Sequence, residues 1–216
     1  MPRIIVFGGH GRVALLLEPL LTARGDRVTA VIRNEAHAQE VAATGATPVV
    51  ADVEALDRDA LARLIEGHDA VVWSAGAGGG NPARTYAVDR DAAIRTIDAA
   101  ARAGATRYVM VSYFGAGPDH GVAPDSSFFP YAEAKAAADE HLRASGLRWT
   151  VLGPSNLTLD PPTSRIDAGA STSASVPRAD VAAAIVACLD EPATEGRTIA
   201  FNAGDVPIAE ALVTTL

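Results

Sequence analysis

Short apolar runs rich in valine and isoleucine alternate with helical segments along almost the whole chain, and this alternation limits the possible folds more than any other feature. The apolar runs predict strands at Arg3–Phe7, Val28–Ile32, Pro48–Ala51, Ala70–Ser74, Tyr108–Tyr113, Trp149–Leu152 and Thr198–Asn202. The segments with helical patterning predict helices at Gly11–Ala23, Glu35–Ala43, Asp57–Ile65, Pro82–Ala103, Phe129–Ser145, Val181–Leu189 and Ile208–Val213. Such alternation is typical of βαβ units, so we expect one α/β domain over residues 1–216, with a doubly wound parallel sheet and helices on both faces.

Three irregular stretches follow the carboxyl ends of predicted strands. They are Gly76–Asn81, Gly115–Ser127 and Pro154–Ser175. Ligands of parallel sheets bind at this edge, so we expect the functional residues in and around these loops.

Composition excludes several classes of function. The net charge of −8 disfavours nucleic acids and anionic membranes as partners, because both are bound through basic patches. The run Ile4–Phe7 is too short for a signal peptide and no run approaches the about 18 residues of a membrane span, so we expect a cytoplasmic protein. Cys188 lies in an apolar run and is expected in the core, and the five histidines lack metal-ligand spacing. The expected partner is a small-molecule substrate, and both a monomer and a homodimer remain open.

A glycine-rich loop joins the first predicted strand to the first helix. Gly8 allows the tight turn, Gly11 lets a pyrophosphate approach the backbone, and Ala14 is small enough for the helix to pack close to the strand. The anion would meet free N–H groups and the positive end of the helix dipole. The residues expected to contact a dinucleotide here are Gly8, His10, Gly11, Arg12 and Val13.

The second predicted strand ends in Arg33, where an acidic residue would bind the ribose 2′-hydroxyl of NAD. A guanidinium suits a 2′-phosphate instead, so we expect NADP(H) to be preferred and NAD(H) to be possible. The alternative is that Arg33 is ordinary solvated surface. Positions after later strands predict further contacts, to the adenine from Asp52 and Val53 and to the ribose from Ala75 and Gly76, although these are also ordinary turn residues.

Tyr131 and Lys135 are four residues apart in a predicted helix and therefore share one face. A tyrosine has a pKa near 10, and a neighbouring cation favours its phenolate. Lysine also has three donors that can hold ribose hydroxyls, which the planar fork of arginine does not reproduce. Lys135 is the only lysine among 18 basic residues, which suggests a position that arginine cannot fill.

The chain resembles the short-chain dehydrogenase/reductase superfamily, in particular atypical NAD(P)-binding members that are similar to epimerase/dehydratase and NmrA-like proteins. The resemblance rests on motifs along the chain, namely Gly8-Gly11-Ala14, Asp52, Val88-Asp89, Ile97-Asp98-Ala99-Ala100, Arg107-Tyr108-Val109, Val111-Ser112, Tyr131/Lys135, Ser145-Gly146-Leu147, Trp149 to Leu152 and Val176 to Ala182. It implies a Rossmann sheet, a nicotinamide cofactor, and Tyr131 as proton donor or acceptor opposite hydride transfer. It also implies that residues 154–216 form a reduced substrate-side lobe.

The resemblance implies further site residues, with two departures from the family pattern. The family's substrate-binding serine or threonine is often two residues after the serine that ends the fifth strand, and here that position is Phe114, so Ser112, Ser126 or Ser127 would serve. The usual Arg-Pro-Gly after the sixth strand is replaced, and the nicotinamide pocket would be lined by Pro154, Ser155 and Asn156.

Three functions remain open from the sequence. The first is an NAD(P)H-dependent oxidoreductase that acts on a small carbonyl or alcohol, with Tyr131, Lys135 and Ser112 as catalytic residues. The second is an NAD(P)-binding regulatory sensor of the NmrA-like type, and the third is an epimerase or dehydratase that recycles its nicotinamide.

Overall fold

The computed structural model describes residues 1–214, and its central feature is a sheet of nine strands. The strands along the chain are β1 Arg3–Phe7, β2 Arg27–Ile32, β3 Thr47–Val50, β4 Ala70–Trp73, β5 Arg107–Val111, β6 Arg148–Pro154, β7 Asn156–Thr158, β8 Arg165–Asp167, β9 Ser175–Pro177, β10 Arg197–Ala203 and β11 Val206–Pro207. The strand order in the large sheet is β11-β8-β10-β6-β5-β4-β1-β2-β3. From β10 to β3 all neighbours run parallel, which confirms the predicted doubly wound α/β sheet.

The stretch Pro154–Ser175, which the sequence predicts to be irregular, contains short strands. Strand β8 pairs antiparallel with β10 and with β11 at the edge of the large sheet, and β7 pairs with β9 in a small separate sheet. Strands of two or three residues carry too little periodicity to be recognised, because their pairing depends on the elements that they meet in the fold.

Helices cover both faces of the sheet. They are α1 Ala14–Ala23, α2 Ala38–Ala43, α3 Arg58–Ile65, α4 Pro82–Thr85, α5 Ala93–Ala103, α6 Phe129–Arg143, α7 Arg178–Asp190 and α8 Ile208–Thr214. Helix α1 begins three residues later than predicted, because the N–H of Gly11 donates to the carbonyl of Gly8 at 2.7 Å in a turn. The predicted helix Pro82–Ala103 contains a π-helical stretch, Tyr86–Ala92, between α4 and α5. This stretch carries Asp89, and π-helical turns are often found at functional sites.

The apolar core has one layer on each face of the sheet. Along β1, Ile4 and Val6 pack with residues of α1, α7 and α8, whereas Ile5 and Phe7 pack with residues of α3 and α5. Successive side chains of a strand point to opposite faces, so a strand that is buried on both sides reads as a continuous apolar run. This pattern explains why the strands could be predicted from short apolar runs.

Several smaller expectations can be compared with the structure. Cys188 is fully buried in the core, as predicted. No helix within residues 1–214 is long and apolar enough to cross a membrane. Over the same part of the chain, no group of three or more histidine, cysteine or acidic side chains is arranged to hold a metal ion.

Candidate functional site

A long cleft follows the carboxyl edge of the parallel sheet. It consists of a cavity of about 840 Å³ and a neighbouring cavity of about 400 Å³. Gly11 and residues 74–77 after β4 line both cavities, so the two adjoin. Arg33 lines the smaller cavity and Tyr131 lines the larger one.

The glycine loop forms the floor at the middle of this cleft. Gly8 has a φ of +83°, and a Cβ at this position would lie 2.6 Å from the Cα of Ala75 in the loop after β4. A Cβ on Gly11 would lie 2.9 Å from the carbonyl oxygen of Gly8. Both positions therefore require glycine, and the loop presents bare backbone at the start of α1, as a pyrophosphate cradle requires.

The smaller cavity is lined by Arg33, the residue whose guanidinium group is predicted to favour NADP over NAD. Arg33 is more than half exposed, and its Nη1 lies 3.3 Å from Oε1 of Glu54. Arg84 binds the same carboxylate oxygen through Nε at 3.2 Å and Nη2 at 2.9 Å. Glu54 is thus shared between two guanidinium groups, which leaves Arg33 with a single weak contact and able to bind another anion.

Two histidines stack beside Arg33. The rings of His10, from the glycine loop, and His37, after β2, lie 3.6 Å apart and nearly parallel. His10 Nε2 also lies 2.8 Å from Oε2 of Glu40. Both histidines line the smaller cavity, and His37 was not identified from the sequence, where an isolated histidine in a helix carries no signal.

Most of the other residues that were predicted to contact the cofactor line one or both of these two cavities. Asp52 caps its own turn, since its Oδ1 accepts from the N–H of Glu54 at 3.0 Å. The predicted residues that line the smaller cavity are Gly8, His10, Gly11, Arg33, Asp52, Val53, Ala75 and Gly76. The predicted residues that line the larger cavity are Gly11, Arg12, Val13, Ala75, Gly76, Ser112, Ser126, Ser127, Tyr131 and Lys135.

Lys135 is almost completely buried, with only 1% of its surface exposed. Its Nζ donates to the carbonyl of Val111 at 2.7 Å, at the end of β5, and reaches the larger cavity. Two buried carboxylates, Asp89 and Asp139, are close enough to interact electrostatically with this ammonium group. Burial raises the pKa of both acids, and the charge of Lys135 opposes that shift.

Tyr131 lies on the same face of α6 as Lys135, as the spacing predicts. Burial, followed by the negative charges of Asp89 and Asp139, raises the pKa of its phenol. This differs from the expectation that Lys135 lowers that pKa, because burial of the phenol dominates and the two carboxylates add to it. The phenol is therefore held in its protonated form, which suits a proton donor.

Ser112, at the end of β5, is buried, and its hydroxyl donates to Oδ2 of Asp139 at 2.5 Å. The other carboxylate oxygen of Asp139 has no hydrogen-bond partner among residues 1–214. Asp139 is four residues after Lys135, so Tyr131, Lys135 and Asp139 follow one face of α6. Asp89 and Asp139 were not predicted as site residues, because acidic residues on alanine-rich helices usually belong to solvated faces.

A third cavity of about 220 Å³ lies on the other side of Tyr131. Pro154, Ser155 and Asn156, which were predicted to line the nicotinamide pocket, line this cavity instead of the larger one. Phe114 also lies here. His120 lines none of the three cavities, and its Nε2 lies 2.9 Å from Oε1 of Glu133 on α6.

Fold and cleft together define a Rossmann-type α/β protein whose ligand groove passes over a glycine loop. The sequence model of NAD(P)H-binding proteins matches residues 8–192. The chain therefore belongs to the NAD(P)H-binding family.

Several known proteins are similar over almost their full length. A Bacillus subtilis protein named as an uncharacterized sugar epimerase, YhfK, is 35% identical over 97% of this chain and 98% of its own length. A Bacillus halodurans structure, provisionally described as a NAD-dependent epimerase/dehydratase, has a TM-score of 0.89 and 32% identity over 100% of both chains. The Lactococcus lactis oxidoreductase ylbE has a TM-score of 0.87 and 27% identity over 99% of this chain and 96% of its own. These likenesses support a nicotinamide cofactor and leave the substrate open.

Proposed function

We propose that this protein is an NADP(H)-dependent oxidoreductase that reduces a small carbonyl compound or oxidises the corresponding alcohol. The observation that carries the proposal is the pair of adjoining cavities, with a bare glycine cradle between them, Arg33 in one cavity and Tyr131 and Lys135 in the other. A dinucleotide has this order of groups, since a pyrophosphate joins two nucleosides. An acidic or apolar residue in place of Arg33 would not support a preference for NADP(H).

The residues of the cleft fit such a cofactor in detail. The cradle of Gly8 and Gly11 would hold the pyrophosphate, because a side chain at either position would collide with the backbone. Arg33 would bind the 2′-phosphate, with His37 at its side. Lys135, at the other end, would hold the hydroxyls of the nicotinamide ribose. When it is bound, the reduced cofactor supplies a hydride to the carbonyl carbon of the substrate.

Tyr131 would supply the proton that completes the reduction. The hydride and the proton convert a C=O group into a CH–OH group, so one two-electron reduction of substrate accompanies one oxidation of cofactor. The raised pKa keeps the phenol protonated, and Lys135 would stabilise the phenolate that forms after transfer. Asp89 and Asp139 lie close enough to interact electrostatically with this buried ammonium group.

Enzyme assays with two variants test the catalytic part of the proposal. Tyr131→Phe removes the hydroxyl that would donate the proton, and Lys135→Met removes the cation together with its hydrogen bond to the Val111 carbonyl. With an aldehyde that the wild-type protein reduces, we expect each variant to lower the rate of NADPH oxidation by about 100-fold or more. This is the usual contribution of a positioned acid. The control is Tyr86→Phe, because Tyr86 lines none of the three cavities. Unchanged rates in both variants would contradict the proposal.

Titration of the two cofactors tests the preference for NADP(H). A guanidinium bound to a phosphate contributes about 1.5–3 kcal/mol, so Arg33→Ala should weaken NADPH binding by roughly 10- to 100-fold and leave NADH binding unchanged. Arg63→Ala is the control, since Arg63 is exposed on α3 and lines none of the cavities. Equal affinity of the wild type for NADPH and NADH would refute the preference.

An epimerase is the second candidate, and the name of the Bacillus subtilis relative favours it. Tyr131 and Lys135 would then act in an oxidation that is reversed before the product leaves. The two functions differ in one measurable quantity. An oxidoreductase converts one cofactor for each substrate, whereas an epimerase converts substrate with no net change in NADPH absorbance.

A further inference from the structure

The cavity of about 220 Å³ beside Tyr131, which we name the side pocket, has an unusual composition. It is lined by aromatic and small polar residues, among them Tyr113, Phe114, Phe128, Tyr131, Ser155 and Asn156. Of the described residues that line it, none has a charged side chain. The geometry points to a substrate pocket that selects small, uncharged aromatic carbonyl compounds, and this inference rests on the proposed oxidoreductase function.

The first argument is position. Ser112, Phe128 and Tyr131 line both the larger cavity and the side pocket, so the two cavities adjoin at Tyr131. The nicotinamide end of the cofactor would lie in the larger cavity beside Lys135. A substrate in the side pocket would then have its carbonyl group next to the proton donor and open to the cofactor.

The second argument is the arrangement of the aromatic rings. Tyr113, Phe128 and Tyr131 contact one another, with ring centroids 5.2–5.5 Å apart and the Tyr113 and Phe128 rings edge to face. The Phe128 side chain is exposed to 43%, although it is large and apolar. Aromatic rings associate at these separations, so a planar ring could join the cluster and remove Phe128 from water.

The third argument is a pair of hydroxyl groups without partners. The buried side-chain oxygens of Ser155 and Tyr113 have no hydrogen-bond partner in the part of the chain that is described. Buried hydroxyls of this kind are costly, and rotation of a serine about χ1 can bring its hydroxyl to a ligand. Burial and the charge of Asp139 raise the pKa of Tyr113, so its hydroxyl remains a donor. A carbonyl oxygen is the acceptor that these two donors lack.

Charge and size restrict the substrate further. No lysine, arginine or histidine from residues 1–214 lines the side pocket, and Asp139 lies close behind it, so an anionic substrate would lose its hydration without gaining a cation. The volume is below the ~300 Å³ at which pockets for drug-sized ligands begin. One ring with a short carbonyl substituent suits both restrictions, whereas a phosphorylated sugar suits neither.

Three probes of similar size separate the contributions of charge and aromaticity without requiring turnover. Benzamide is neutral and aromatic, benzoate is its anionic counterpart, and cyclohexanecarboxamide is neutral and aliphatic. We would measure their dissociation constants by ligand-observed NMR on the full-length protein, with and without NADP⁺. The expected result is that benzamide binds at least tenfold more tightly than either of the other two.

Two pairs of variants locate the binding. Phe128→Leu and Ser155→Ala should each weaken benzamide binding by threefold or more. Their controls, Phe129→Leu and Ser171→Ala, should not change it, because neither residue lines any of the three cavities. Circular dichroism of each variant shows whether it is folded, and the exposed Phe128 tolerates replacement better than a core residue would.

The inference is overturned if benzoate binds as tightly as benzamide, if the aliphatic amide does, or if Phe128→Leu and Ser155→Ala both leave the affinity for benzamide unchanged. The proposed oxidoreductase function is tested separately, by measuring NADPH-dependent turnover. NADPH-dependent turnover without discrimination among the three probes refutes the side-pocket inference alone. Discrimination among the probes without any turnover supports the pocket and refutes the proposed oxidoreductase function.

Discussion

The buried side chain of Glu18 on α1 predicts a pH dependence of the protein's stability. It is fully buried, its Oε2 accepts a hydrogen bond from Thr44 at 2.8 Å, and its Oε1 has no partner within residues 1–214. Burial raises its pKa from the ordinary 4.5 to about 7. The folded protein therefore keeps a proton on Glu18 up to about pH 7, whereas the unfolded chain loses it near pH 4.5.

The sign of the pH dependence follows from this difference. Between about pH 4.5 and pH 7 the folded state binds more protons than the unfolded state, so Glu18 makes the protein less stable as the pH rises. A tenfold difference in proton affinity is worth about 1.4 kcal/mol, so the full loss above pH 7 is about 3 kcal/mol. Replacement by Gln resembles the protonated acid and removes this loss.

We therefore expect Glu18→Gln to raise the free energy of unfolding at pH 8 by up to about 3 kcal/mol and to change it little at pH 5. Urea denaturation followed by circular dichroism at both pH values measures the difference between wild type and variant. Glu140→Gln, on the exposed side of α6, is the control and should have the same small effect at both. A Glu18→Gln effect that is equal at pH 5 and pH 8 would refute the reasoning.

Three further predictions concern the structure around the site and the core. Gly8→Ala should destabilise the fold by more than about 2 kcal/mol in thermal unfolding, because it combines a left-handed φ with a 2.6 Å approach to Ala75; an unchanged melting temperature would contradict the loop geometry. Arg107→Met should cost about 3 kcal/mol in urea denaturation, because the buried guanidinium donates to the Thr150 hydroxyl and the Cys188 carbonyl, both at 2.7 Å; a loss below about 1 kcal/mol would show that these bonds contribute little. Cys188 should react with a thiol reagent only after unfolding, since burial removes access and raises its pKa to about 11; rapid labelling of the native protein would contradict its core position.

Much of the fold could be predicted because strong local patterns decide it. The parallel strands are buried on both faces and read as apolar runs, so β1, β4 and β5 are visible in the sequence. The glycine positions are equally visible, since Gly8 and Gly11 are required by backbone contacts that few other residues tolerate. The alternating order of strands and helices then indicates a parallel sheet with helices on both faces.

The environment of the site could be predicted less well. Alanines are spread around helix α6, so its sequence does not show which face of the helix is buried. Asp139 is fully buried there and Asp89 is nearly so, yet both read as surface residues of polar helices. The pKa of Tyr131 is raised rather than lowered, first because its phenol is buried and then because of these two carboxylates.

The side pocket could not be predicted as a separate cavity, although several of its residues were predicted to be site residues. Tyr113, Phe128 and Ser155 come from separate elements, and their contacts depend on how the loop after β5 and the end of β6 meet. No local sequence pattern predicts these contacts, because they depend on how segments that are distant in the sequence pack together. Ser155 was predicted to line the nicotinamide pocket and lines the side pocket instead.

The central claim, that the cleft holds a nicotinamide dinucleotide with its reactive ring beside Tyr131, is tested most directly by a crystal structure of the complex with NADP⁺. The account predicts the pyrophosphate over the glycine loop, the 2′-phosphate on Arg33, and the nicotinamide ring between Lys135 and the Tyr131 hydroxyl at the opening of the side pocket. A nicotinamide ring that lies outside the larger cavity, or a Tyr131 hydroxyl that faces away from it, would contradict the account.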